Sequence, residues 1–231
     1  MKRLLAFAPK LPQAADLEPF SHTLDFLTQD FDITWIDPLE NHLDLTFSEY
    51  ADFWRKYLSK YLESYDAFIG FSLGGFILID NLEQFLHKNK VIILISAPNH
   101  LDESLKNKLQ TVLSLSHAGK TKEATDLLNQ YVFETTSDFE KARKEPWSII
   151  TKRLQYGLGY VLAHQLPTEL KASNVIVHQL VGEKSRLVTK NNILNTAKTI
   201  THIIPMAGNR VLEDNPSFSQ KLIKELLYAE K

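Results

Sequence analysis

The residues best suited to do chemistry lie in Gly70-Phe71-Ser72-Leu73-Gly74-Gly75, which contains the pattern Gly-x-Ser-x-Gly. A mostly apolar run, Tyr65–Ile69, precedes this segment, and a helix-like stretch, Leu73–His87, follows it. A serine on such a tight strand-to-helix turn projects its hydroxyl above the sheet and can act as a nucleophile. The N–H of Leu73, at the start of the helix, is then a natural donor to a developing oxyanion.

Two other interpretations of this segment exist. The first is a glycine-rich turn in a parallel sheet without any chemistry, because glycine is common wherever the backbone bends sharply. The second is a dinucleotide-binding loop, which fits poorly because the pattern Gly-x-Gly-x-x-Gly is absent. The strand before Ser72 and the helix after it favour the nucleophile.

The elements that must position Ser72 follow an alternating pattern along the chain. Short apolar runs predict six buried strands, at Leu4–Ala8, Phe31–Ile36, Ala67–Phe71, Val91–Ser96, Val175–Val181 and Ile200–Pro205. Longer stretches between and after them predict helices, at Ala14–Thr28, Ser48–Tyr61, Leu73–His87, Asn191–Thr196 and Ser217–Ala229. This alternation is typical of an α/β domain with a mainly parallel sheet.

One region, residues 101–166, interrupts the alternation because it contains no convincing strand. Apolar residues recur at helical spacing in two stretches of this region, and a third helix-like stretch covers Ser148–Leu162. We therefore predict a core made of residues 1–100 and 167–231, with a helical lid at 101–166 inserted between two strands. The charges of this insertion are nearly balanced, so it shows no docking patch for an acidic partner.

Composition excludes several classes of function. Lys and Arg number 26 against 28 Asp and Glu, so no basic excess is available to bind nucleic acid. The absence of cysteine excludes disulfides and cysteine nucleophiles, and the histidines lack the spacings of metal ligands. We expect no metal or organic cofactor, no membrane span, and a cytoplasmic location, because the apolar run at the N-terminus is too short for a signal peptide.

The segments described above resemble the α/β-hydrolase superfamily, in its lidded esterase and thioesterase branch, over nearly the whole chain. The match is loose at Asp37-Pro38, where the glycine of the family's turn is missing. The matching segments are Leu4–Ala8, Thr34–Pro38, Gly70–Gly75, Val91–Ser96, Ser173–Lys184 and Ile203–Pro216. The resemblance implies an α/β-hydrolase fold, with Ser72 on the nucleophile elbow and a small acyl or ester-like molecule as ligand.

The chain departs from the family at the positions of the other catalytic residues. Ser185 stands where the family has the triad acid, and Asn209 stands where it has the triad histidine. Pro9 falls near the oxyanion loop and has no N–H, so Lys10 is the better candidate for the second oxyanion donor beside Leu73. The resemblance therefore implies a degenerate triad of Ser72, Asn209 and Ser185.

A serine hydroxyl is a weak nucleophile until a base takes its proton, and an asparagine amide cannot be that base near neutral pH. His100, which follows the strand Val91–Ser96, is a possible substitute base, although a loop histidine is more often simply exposed. Glu183 could be a displaced acid, but a solvated carboxylate is the simpler interpretation.

Three hypotheses follow from these residues. The first is weak or non-classical hydrolysis of acyl esters or thioesters by Ser72. The alternative is a non-catalytic protein that binds a small apolar or acyl ligand, as in the gibberellin receptors, which resemble hydrolases that lost the histidine and kept the serine. The third is a role in binding a protein partner through the helical insertion. Oligomeric state and substrate are not readable from the sequence.

Overall fold

The computed structural model describes residues 1–133, 145–164, 166, 175–193 and 198–228. Its centre is a six-stranded sheet in which every neighbouring pair is parallel, with the order β2-β1-β3-β4-β5-β6. The strands are β1 (Lys2–Phe7), β2 (Phe31–Ile36), β3 (Ala67–Phe71), β4 (Val91–Ile95), β5 (Val177–Gly182) and β6 (Thr199–Ile204). All six predicted strands are present, and the predicted α/β fold class is confirmed.

Helices cover both faces of the sheet and create two apolar cores, one on each face. The central strands β3 and β4 are buried along their whole length, which explains their continuous apolar sequence. The helices are α1 (Leu17–Ser21), α2 (Phe47–Tyr61), α3 (Leu73–Asp80), α4 (Glu103–His117), α5 (Thr121–Val132), α6 (Trp147–Ala163), α7 (Val211–Asp214) and α8 (Pro216–Tyr228). No helix among the described residues is long and apolar enough to cross a membrane.

Some of the predicted helices are shorter or more irregular in the structure. The single helix predicted over Ala14–Thr28 is instead α1 flanked by two 3₁₀ segments, Ala14–Asp16 and His22–Leu27. The hydroxyls of Ser21 and Thr23 donate to carbonyls three residues earlier, and such local bonds compete with regular α-helix.

The helix predicted over Asn191–Thr196 was also wrong where the structure describes it. Residues 191–193 form a turn, and the remainder of that segment lies outside the described residues. The Oδ1 atom of Asn192 accepts hydrogen bonds from the N–H and the hydroxyl of Thr189, which holds the chain in this turn.

Helices α4, α5 and α6 lie between β4 and β5 in the chain and pack against one another. Their apolar residues have the helical spacing that the sequence indicated, and the carboxylate of Asp102 caps α4 by accepting the N–H of Leu105. Residues 134–144, 165 and 167–174 lie outside the described part of the chain, so the boundaries predicted for the lid remain predictions.

A buried ion pair connects this helical insertion to the sheet. Nη2 of Arg153, on α6, donates to both carboxylate oxygens of Asp37 at 2.9 and 2.7 Å, just beyond β2. Nε of Arg153 donates to the carbonyl of Leu11 at 3.1 Å, in the loop after β1. The side chains of Arg153 and Asp37 are only 3% and 1% exposed, so water could not solvate either charge if its partner were removed.

We expect Arg153→Met to lower the free energy of unfolding by about 3–5 kcal/mol, because Asp37 would keep a buried charge without a partner. Urea denaturation monitored by circular dichroism measures this change. The double variant Arg153→Met/Asp37→Leu should lose less than the sum of the two single variants, since it removes both charges together.

Lys152→Met is the matched control on the same helix. Its ion-pair partner Asp44 is 93% exposed, so we expect a loss of less than about 1 kcal/mol. Equal losses for the Lys152 and Arg153 variants would contradict the structural role given to the buried pair.

Candidate active site

Ser72 occupies a sharp turn between the end of β3 and the start of α3. Its backbone has φ 46° and ψ −109°, a conformation that costs a residue with a side chain roughly 1–3 kcal/mol. Two hydrogen bonds hold the turn: the N–H of Ser72 donates to the carbonyl of Ile95 at 2.9 Å, and its carbonyl accepts from the N–H of Phe76 at 2.8 Å. The strain is therefore imposed by the elements on both sides.

The glycines on either side of Ser72 are required by close backbone approaches. A Cβ atom at position 70 would lie 2.6 Å from the Cα of Gly75. A Cβ atom at position 74 would lie 2.5 Å from the Cβ of Phe7 and 2.7 Å from the carbonyl oxygen of Ala8. Any other residue would push α3 away from β1, so these glycines bring the loop after β1 next to Ser72.

The side chain of Ser72 faces a cavity of about 1490 Å³ that opens at the carboxyl ends of the strands. Its Oγ atom makes no hydrogen bond within the part of the chain that the structure describes, so the hydroxyl is free to meet a ligand. The cavity is larger than the 300–1,000 Å³ typical of small-molecule sites. Its apolar lining comes mainly from the helical insertion: Leu105, Leu109, Leu128, Val132, Ile150, Leu158 and Val161.

The two predicted oxyanion donors, Leu73 and Lys10, both line this cavity. Leu73 is the first residue of α3, so its N–H has no partner inside the helix. Among the described residues, neither the N–H of Leu73 nor that of Lys10 donates a hydrogen bond. These two N–H groups therefore belong to residues of the same cavity lining as Ser72, and the described residues give them no partner.

Ser185 and Asn209, at the expected triad positions, contact each other. The hydroxyl of Ser185 donates to Oδ1 of Asn209 at 3.2 Å. Their loops meet because β5 and β6 end side by side, with Gly182 paired to Ile204, and because the N–H of Lys184 donates to the carbonyl of Ala207 at 2.8 Å. The ends of β5 and β6 thus bring residues 185 and 209 into contact.

Asn209 also lines the cavity and is 9% exposed. The N–H of Val188, which can only donate, points at the same Oδ1 atom at 3.4 Å, so that atom must be the amide oxygen. The group left over is the amide NH₂, which donates and does not accept. Asn209 therefore offers Ser72 no base, and no hydrogen bond joins the two side chains.

The structure does not bring the two alternative residues to Ser72. His100 is exposed and absent from the cavity lining, and its backbone N–H donates to the carbonyl of Asn192. Glu183 is also exposed, and its carboxylate accepts the N–H of Met206 at 2.9 Å. Their side chains are therefore not placed to act on the hydroxyl of Ser72.

The histidines of β5 and β6, His178 and His202, pair with each other rather than with the cavity. Their ring nitrogens lie 3.2 Å apart, and each residue lies within its strand. Burial, together with the neighbouring His202, lowers the pKa of His178 to about 4. Neither ring lines the cavity.

Two cavity residues escaped the sequence analysis. His22 lies at the cavity wall, where its Nδ1 atom is 2.9 Å from a carboxylate oxygen of Asp25, but the ring is 67% exposed. The sequence indicated only the backbone N–H of Lys10, whereas the structure packs its side chain against Gly157 of α6, another residue that lines the cavity. The sequence signal for His22 was the aspartate that follows it three residues later. No local signal indicated the role of the Lys10 side chain, because its surroundings come from α6, which is distant in the sequence.

No metal site is evident near Ser72. The described residues contain no group of three or more His, Asp or Glu side chains that could hold a metal ion.

Comparison with known proteins gives matches in structure but none in sequence. No protein-family model matches the chain, and a search of curated proteins finds no match. A hydrolase from Oleispira antarctica is similar at a TM-score of 0.71 and 13% identity, over 99% of this chain and 92% of that one.

Two further solved structures are similar over a comparable extent. The putative non-heme bromoperoxidase BpoC from Mycobacterium tuberculosis has a TM-score of 0.70 and 14% identity, over 100% of this chain and 93% of its own. MenH from S. aureus has a TM-score of 0.64 and 16% identity, over 99% of this chain and 94% of its own. Because these structures match nearly the whole chain, they show that the chain has the predicted α/β-hydrolase fold.

Proposed function

We propose that this protein is a serine hydrolase of weak activity, in which Ser72 attacks small acyl esters or thioesters. The observation that carries the proposal is the strained backbone of Ser72, with its free hydroxyl directed at a cavity. A strained turn of this kind persists only where the surrounding structure enforces it, and such turns cluster at functional sites. The solved structures that resemble the chain include hydrolases and esterases.

The chemical steps follow from the groups around the cavity. The Oγ atom of Ser72 attacks the carbonyl carbon, and the N–H groups of Leu73 and Lys10 stabilise the oxyanion that forms. The alcohol or thiol then leaves, and water hydrolyses the acyl-enzyme. With an amide NH₂ at position 209, the proton of Ser72 must pass to solvent, so turnover is limited to roughly the 10³–10⁴-fold over water that remains when a triad member is removed.

The helical insertion serves this function as a lid. Helices α4, α5 and α6 provide the apolar wall of the cavity, which suits the hydrocarbon part of an acyl group. The buried pair of Arg153 and Asp37 anchors α6 to the core beside the oxyanion loop, so the lid is fixed where it meets the site.

A second candidate function is ligand binding without turnover. It is favoured by the hydrogen bonds that Oδ1 of Asn209 accepts from Ser185 and Val188, which leave no proton acceptor facing Ser72. In this case the cavity would hold an acyl-like ligand that is released unchanged, and ligand would raise the melting temperature without any product appearing.

Covalent labelling tests whether Ser72 is the nucleophile. We expect a fluorophosphonate probe to label the wild-type protein slowly, because the oxyanion donors remain although the base is absent, and Ser72→Ala to abolish the label. In-gel fluorescence measures the labelled fraction. The exposed Ser48→Ala variant should label like the wild type, and labelling that persists in Ser72→Ala would contradict the proposal.

Restoring the proton relay tests the assignment of positions 185 and 209. Because the two side chains already contact each other, the double variant Ser185→Asp/Asn209→His should raise kcat/KM for p-nitrophenyl acetate about 10²–10⁴-fold, the usual contribution of a general base. Ser185→Asp alone should give no gain, since it lacks an imidazole to orient.

Adding Ser72→Ala to the double variant should remove the entire gain. A folded double variant without any gain would show that these two residues do not stand at the relay positions.

A further inference from the structure

The charged side chains that line the cavity have partners, with one exception. Asp16 accepts two hydrogen bonds from Gln13. The other pairs are Lys122 with Asp126, Arg210 with Glu213, and His22 with Asp25. Within the described residues, the ammonium of Lys10 makes no hydrogen bond and no ion pair.

Lys10 is held beneath the helical insertion by close packing. Its Cγ atom would lie 2.8 Å from a Cβ atom at Gly157, so the missing side chain of that glycine lets α6 close over the lysine stem. Arg153 lies one turn earlier on the same helix. The stem of Lys10 thus packs against α6 at Gly157, and both Lys10 and Gly157 line the cavity.

The electrostatic surroundings of this ammonium are unfavourable. Burial, reinforced by the positive charge of Arg153 and opposed by the carboxylate of Asp16, lowers the pKa of Lys10 to about 8. Asp16 is not close enough for an ion pair with Lys10. An anion placed in the cavity would offset both the cost of desolvating the ammonium and its repulsion by Arg153, because an opposite charge favours the protonated lysine.

We propose that Lys10 is the anion-recognition point of the cavity, and that the ligand is an acyl compound carrying a carboxylate in addition to the carbonyl group presented to Ser72. The apolar wall between the two ends accommodates a hydrocarbon chain. The position of the carbonyl rests on the proposed function. The binding of the carboxylate does not, because it needs no reaction at Ser72.

Binding in the Ser72→Ala background separates this proposal from catalysis. The probes are monomethyl esters of linear dicarboxylic acids, each compared with the methyl alkanoate in which a methyl group replaces the carboxylate. At pH 6.5, calorimetry should show about 10- to 100-fold tighter binding of the anionic ester for at least one chain length, as expected for a charge-assisted hydrogen bond.

Substitutions at position 10 identify the group responsible. Lys10→Met should remove the preference for the anionic ester and leave the affinity for the neutral ester within about threefold, because the apolar stem is retained. Lys10→Arg should keep the preference. Both variants retain the backbone N–H that is assigned to the oxyanion, so their effects belong to the side chain.

The pH dependence gives an independent readout with a defined sign. The ammonium is charged below its pKa of about 8, so the preference should be full at pH 6.5 and fall about tenfold or more by pH 9.5. Lys10→Arg should show no such decline, because the guanidinium stays protonated. The other charged groups of the cavity are shared by both proteins.

Three results would overturn the proposal. The first is equal affinity for the anionic and the neutral ester at every chain length, and the second is a preference for the anionic ester that survives Lys10→Met. The third is a rate of hydrolysis that rises through pH 8 and is lost in Lys10→Arg, while the protein shows no preference for the anionic ester. The last result would make Lys10 the base for Ser72 instead. Absence of hydrolysis by the unsubstituted protein would count against the proposed function alone, because the binding assay uses a protein that lacks the nucleophile.

Discussion

The backbone bend at Ser72 is the constraint on which the rest of the site depends. It is possible only because Gly70 and Gly74 let α3 approach β1 and β3 more closely than any side chain would allow. The cost of the strained conformation, roughly 1–3 kcal/mol, is small beside the burial of β3 and α3 in the two cores. The bend also places Leu73, whose N–H has no partner among the described residues, in the lining of the cavity.

At the carboxyl edge of the sheet, the loops that follow β5 and β6 are held together by contacts between uncharged groups. Ser185 and Asn209 are joined by a hydrogen bond between neutral groups, which needs no charge to be desolvated. The same edge is tied to β4 through the hydroxyl of Ser96, which donates to the carbonyl of Asn209 at 2.7 Å. The loops are therefore fixed by contacts that do not require an acid or a histidine at these positions.

Two basic residues that lie close to each other, Arg153 and Lys10, have different surroundings. The guanidinium of Arg153 is neutralised by Asp37, and this pair attaches the helical insertion to the core. The described residues give the ammonium of Lys10 no such partner, so in our proposal it binds an anionic ligand. A buried ammonium close to a buried guanidinium is electrostatically unfavourable. An anionic ligand would remove this cost, as expected for an anion-binding site.

Much of the fold could be predicted from the sequence, because the six apolar runs and the Gly-x-Ser-x-Gly turn are local signals. The irregular helix at residues 14–27 could not, since it depends on hydroxyl-to-carbonyl bonds of Ser21 and Thr23 that compete with helix by small margins. The pair of Arg153 and Asp37 joins residues 116 positions apart, and nothing in either local sequence indicates it. The role of the Lys10 side chain was missed for the same reason, because its environment comes from α6.

The central claim, that Ser72 is a nucleophile held ready by the bend, is tested most directly by trapping its acyl-enzyme. The protein would be incubated with p-nitrophenyl acetate, quenched in acid, digested, and analysed by mass spectrometry. Because water must also hydrolyse the acyl group without a base, the account predicts that a single acetyl adduct accumulates on the peptide containing Ser72. An adduct that maps only to lysines or other serines, with the Ser72 peptide unmodified, would contradict it.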